Sequence, residues 1–139
     1  MKAIFADSFY YIALLNPADQ FHGQAIEASR NLSRPVLTTT WVLMEVADAL
    51  SSPGYRQLVH RMVRELFQDP NTTVLPLDQD SFLRGLEFYG QRHDKSWSLT
   101  DCISFTIMSD RGIHEALTGD RHFVQAGFLA LMMDAPTED

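Results

Sequence analysis

Short β-branched or apolar runs alternate with longer amphipathic stretches along the whole chain, and that alternation admits few folds. Lys2–Ala6, Pro35–Thr38, Thr72–Leu75, His114–Thr118 and Leu129–Met132 read as strands. Apolar residues at helical spacing fill the intervals Ser8–Leu15, Asp19–Leu32, Thr40–Ser51, Tyr55–Gln68, Asp78–Arg92, Ser98–Ser109 and Asp120–Gln125. Asn16-Pro17 stops the first helix, and Ser52-Pro53-Gly54 divides the third from the fourth. Strands alternating with helices in this way predict an α/β sandwich around a short, mainly parallel sheet. Ligands of such sheets bind outside the carboxyl ends of the strands. With 139 residues and neither repeat nor linker, one domain spanning residues 1–139 is expected.

Four acids fall where that architecture puts its crevice. Asp7 and Asp120 follow strands, Glu45 lies in a helix that starts just after one, and Asp101 lies in the first turn of a helix. Each also has a structural explanation. Asp7 and Asp120 could be helix N-caps, a role worth about 1 kcal/mol. Ser98-x-x-Asp101 fits a capping box, in a helix apolar nearly all round: Leu99, Cys102, Ile103, Phe105, Ile107 and Met108. Glu45 has no cap role. Its neighbours Val42, Val46 and Ala49 give it the inward face, where a carboxylate either finds a cation, becomes protonated or snorkels to water. Asp78, Asp80, Asp94 and Asp110 have no comparable setting and read as capping or solvated.

Composition narrows the chemistry. A lone cysteine, Cys102, leaves no disulfide framework or cysteine zinc site and fits a small core residue in a cytoplasmic protein. The histidines at 22, 60, 93, 114 and 122 form no HExxH pattern, and no nucleophile elbow or phosphate-cradling glycine loop occurs. No apolar run reaches the ~20 residues of a membrane span, and Asp7 interrupts the N-terminal apolar stretch, which reads as mature structure. A net charge of -7 argues against phosphate binding by bulk charge, yet carboxylates gathered around metal ions would inflate that count. Phe9-Tyr10-Tyr11 reads as packing, with Tyr10 or Tyr11 able to border the cleft.

The segments IFADSFYYIALL, TTWVLMEVADAL, WSLTDCISFTIM and ALTGDRHFVQAGF resemble, in that order, those of PIN domains, specifically the VapC-type ribonucleases of toxin-antitoxin pairs. The resemblance implies a PIN-like three-layer α/β/α sandwich with a short, mainly parallel central sheet. It implies an Mg²⁺- or Mn²⁺-dependent endoribonuclease acting on single-stranded or structured RNA, with Asp7, Glu45, Asp101 and Asp120 as catalytic metal ligands. Ser8 and Thr118 would support them. A small antitoxin and a homodimer are further implied partners, and Arg92, Lys95, Arg121 and His122 are candidate RNA contacts. Three alternatives accompany this expectation: a PIN-like RNA-processing nuclease without an antitoxin, a HAD-type phosphatase, and a catalytically inactive interaction module. The HAD reading needs a second acid two residues after Asp7, where this chain has Phe9.

Overall fold

A computed structural model describes residues 2–133. Twelve elements follow in order: β1 Ile4–Ala6, α1 Ser8–Leu15, α2 His22–Arg30, β2 Val36–Thr39, α3 Thr40–Ala49, α4 Pro53–Gln68, β3 Thr72–Leu75, α5 Gln79–Gln91, α6 Leu99–Asp110, β4 Glu115–Leu117, α7 Arg121–Gln125 and β5 Leu129–Ala130. Every strand and helix expected from the pattern is present. Two boundaries move for identifiable reasons. Helix α2 starts at His22 rather than Asp19, because the Asn16 and Asp19 side chains accept from Ala18 N–H and Phe21 N–H and hold the segment in turns. Helix α4 begins at Pro53, which suits a first turn where no backbone donor is needed.

The strands form one five-stranded sheet in the order β3-β2-β1-β4-β5, and every pairing is parallel. Strand β1 is central. Phe5 pairs with Leu37 on one side and Ala116 on the other, and all three β1 residues are buried. The path from β1 to β2 to β3 runs outward one way, and that from β4 to β5 the other. With right-handed crossovers, α1–α4 cover one face and α5–α7 the opposite face. Helices pack accordingly, α1 with α2 and α3, and α6 with α5 and α7.

The core gathers Phe5, Val42, Val46, Ile103, Met108 and Phe123 from both faces. Cys102 sits in it as expected. The direction in which strands are added to the sheet reverses between β1 and β4, so their carboxyl ends frame the switch-point crevice of an open parallel sheet. Among the described residues, no helix is long and apolar enough to cross a membrane.

Candidate active site

Asp7 leaves β1 directly into this crevice. Its backbone N–H donates to Leu117 O at 3.2 Å, extending the β1–β4 ladder by one bond. Although Asp7 occupies the N-cap position of α1, its side chain caps nothing. Instead Oδ2 accepts from the Thr118 hydroxyl at 3.0 Å, and the residue is only 3% exposed. Burial, reinforced by the charge of Asp101, pushes its pKa up to about 7, against the opposing Thr118 bond.

Thr118 also accepts from Asp120 N–H at 3.1 Å, so one buried hydroxyl ties the two strand-end acids together. Asp120 does cap its helix, accepting from His122 N–H at 2.9 Å.

Asp101 serves two structures at once. The capping box forms: Asp101 N–H donates to Ser98 Oγ at 3.0 Å, and Ser98 N–H donates to Asp101 Oδ2 at 3.1 Å. The same carboxylate oxygen lies 3.0 Å from His122 Nδ1. Burial raises the Asp101 pKa, the His122 and Ser98 contacts lower it, and the nearby Asp120 charge raises it further.

Glu45 reaches the cluster from α3, where the Ser8 hydroxyl donates to its Oε1. Its pKa is raised first by burial, with the charges of Asp101 and Asp120 adding to the effect. Val42 and Val46 are buried as expected, but Ala49 is exposed, so the inward face of α3 ends one turn earlier than the pattern implied.

The four expected acids thus converge: Asp7 and Glu45 feel the charge of Asp101, and Glu45 and Asp101 that of Asp120. Among the described residues, no Lys or Arg forms an ion pair with any of them. Carboxylates gathered in this way without a Lys or Arg counter-ion are a donor set for a hard divalent cation, which takes oxygen ligands. Asp101, Asp120 and His122 each offer a ligand atom within 4.8 Å of the others.

The remaining expected contacts divide. Arg92 forks onto Asp94 at 3.0 and 3.1 Å and lies over the Trp97 ring, while Lys95 sits 3.8 Å from Asp94. Both line a cavity of about 480 Å³ together with Cys102, the residue after Asp101. Arg121 is exposed at the start of α7. His122 is drawn into the acid cluster.

The aromatic run packs as expected, but neither tyrosine borders the cleft. Tyr10 and Tyr11 are core residues whose rings pack at 5.1 Å, tilted by 57°. Phe9 is the one that borders the site, so close to Gly119 that an added Cβ there would meet its ring at 2.6 Å. Phe9 therefore occupies the position where a HAD-type site needs its second acid. Asp78 caps α5, and Asp110 pairs with Arg84 at the surface.

The chain matches no protein-family model. It is 28% identical over 129 residues to the 23S rRNA-specific endonuclease VapC20 of Mycobacterium tuberculosis, covering 91% of this chain and 95% of that protein. The crystal structure of M. tuberculosis VapC20, described as a sarcin-ricin loop cleaving toxin, superposes with a TM-score of 0.84. That superposition has 24% identity and covers 92% of this chain and 98% of the other. The chain accordingly has the PIN fold of VapC-type ribonucleases and resembles them along nearly its whole length.

Proposed function

We propose that this protein is a metal-dependent endoribonuclease, the toxin of a type II toxin-antitoxin pair, with Asp7, Glu45, Asp101 and Asp120 as its catalytic carboxylates. The observation that carries the reading is the convergence of four acids, two of them buried and none paired with a Lys or Arg among the described residues, at the switch point of a VapC-like fold. Mg²⁺ or Mn²⁺ fits the oxygen donors, held by Asp7, Asp101 and Asp120 with Glu45 completing the set. When bound, the ion supplies Lewis acidity for activating water and offsetting charge on the scissile phosphate.

The protein's own part is positioning. Thr118 fixes the Asp7 carboxylate, the capping box fixes Asp101, and the Ser8 hydroxyl aims Glu45. Glu45 orients the attacking water, and its raised pKa suits it to accept a proton. Arg92, Lys95 and Arg121 hold RNA phosphates at the rim, outside the acids. VapC20's ribosomal substrate makes a structured RNA loop the first substrate to assay.

The deciding experiment compares RNA cleavage by wild type and Asp101→Asn with Mg²⁺, Mn²⁺ or EDTA. Both the substitution and EDTA should abolish cleavage, a loss of at least ~100-fold if the centre contributes several kcal/mol. Cleavage that survives both would overturn the proposal. Charge reversal at Arg92 or Arg121 should weaken RNA binding and flatten its salt dependence; unchanged binding and slope would remove that residue from the RNA surface. A homodimer is part of the same reading, supported by the exposed Leu83, Leu86 and Tyr89 of α5. Light scattering should give about twice the 15.8 kDa chain mass.

A further inference from the structure

His122 stands in the acid cluster without being an acid. It is the second residue of α7, and its ring folds back so that Nδ1 faces two carboxylates at once. Nδ1 is 3.0 Å from Asp101 Oδ2 and 3.5 Å from Asp120 Oδ1. A single N–H points at one acceptor, so a hydrogen bond accounts for the shorter contact, while the longer one falls beside the oxygen that caps His122 N–H.

Both carboxylate oxygens already have a backbone donor, from Ser98 N–H and His122 N–H respectively. Two ligand atoms at right angles on one ion, each about 2.1–2.2 Å away, lie about 3 Å apart. The two Nδ1···O spacings are close to that separation, with the nitrogen shared between them.

We propose that His122 is a direct ligand, through Nδ1, of the divalent ion held by Asp101 and Asp120, and that it biases the site toward Mn²⁺ over Mg²⁺. The inference rests on the metal-dependent reading above and adds a nitrogen to an otherwise all-oxygen set. Mg²⁺ demands oxygen ligands and gives up its waters reluctantly, whereas Mn²⁺, at the low-affinity end of the divalent first-row series, accepts imidazole more readily. The contrasting possibility is that His122 only positions Asp101 by hydrogen bonding. Loss of such a positioning partner also weakens metal binding, commonly 10–100-fold, so affinity alone does not separate the two.

Two readouts do separate them. Pulsed electron paramagnetic resonance of the full chain with one equivalent of Mn²⁺ should show ¹⁴N modulation that moves to the ¹⁵N frequency on selective ¹⁵N-histidine labelling. This measurement needs no variant. In His122→Ala the modulation should vanish. Calorimetric titration with each metal should show the Mn²⁺/Mg²⁺ affinity ratio falling about tenfold or more, because Mn²⁺ alone loses a favourable ligand. Bound Mn²⁺ without nitrogen coupling in wild type would overturn the assignment, as would His122→Ala weakening both metals equally. Either result leaves the nuclease reading standing if Asp101→Asn still abolishes cleavage. Failure of wild type to bind Mn²⁺ at all would overturn both.

Discussion

Asp7 is held by surroundings that oppose its charge. It is almost wholly buried, near Asp101 and Glu45, with the hydroxyl of Thr118 bonded to its carboxylate. Asp7→Asn keeps an acceptor for Thr118 and removes the charge. The metal-free variant at pH 8 should therefore be more stable than wild type by about 1–3 kcal/mol, roughly 3–8 °C in melting temperature, while losing cleavage. A melting temperature that fails to rise in EDTA would contradict the account. Thr118→Val should do the opposite to the fold. It removes the donor to Asp7 and the acceptor for Asp120 N–H from a fully buried position, a loss of about 1–2 kcal/mol by urea unfolding. Glu45 was legible in sequence because Val42 and Val46 fixed its face. The role of Thr118 was legible only through family resemblance, since a hydroxyl bonded to residues 111 positions before it and 2 after it has no periodic signature.

Helix α6 is the element on which the site most depends, since its first turn carries Asp101 and its flank carries the packing of α5. Gly85 of α5 meets it so closely that a Cβ would lie 2.3 Å from Ile103 Cγ1 and 2.9 Å from Ile103 Cα. Gly85→Ala must push the helices apart, because a backbone atom cannot rotate away. We expect about 1–3 kcal/mol of destabilisation, together with reduced cleavage from a displaced Asp101. Denaturant unfolding checks the first; a fully wild-type midpoint would show that the contact yields freely. At the other end of α6, Gly112 has φ +65°, the left-handed region that ends helices. Element types were readable because strand runs and helical spacing differ in period and the breakers lie between them. The start of α2 was not, since Asn16 and Asp19 compete with the helix through local side-chain bonds that hydrophobic spacing does not record.

Across the whole molecule, the buried acids tie stability to pH. Asp7 has a folded pKa of about 7 against 3.8 for the free group, so between those values the folded state binds more protons than the unfolded state. Its contribution is fullest below about pH 4 and is lost as pH rises through 7; Asp101 and Glu45 shift in the same direction. The metal-free protein should thus melt higher at pH 5 than at pH 8. On the proposed function, saturating Mn²⁺ should lift the pH 8 value most, because an ion held by these carboxylates would select the deprotonated folded site. Scanning calorimetry in EDTA and in Mn²⁺ checks both, and a metal-free melting temperature that rises from pH 5 to pH 8 would refute the linkage. The sequence alone determined the α/β order, the helix and strand types, and the four acids as candidates, because periodicity and turn chemistry are local. Only the tertiary structure decided the rest. It set the strand order that brings β1 beside β4, the single Thr118 hydroxyl joining Asp7 to Asp120, the exchange of Tyr10 and Tyr11 for Phe9 at the rim, and the turn of His122 into the cluster. These depend on which strands pair and which side chains then lose water, and no local window of sequence contains either.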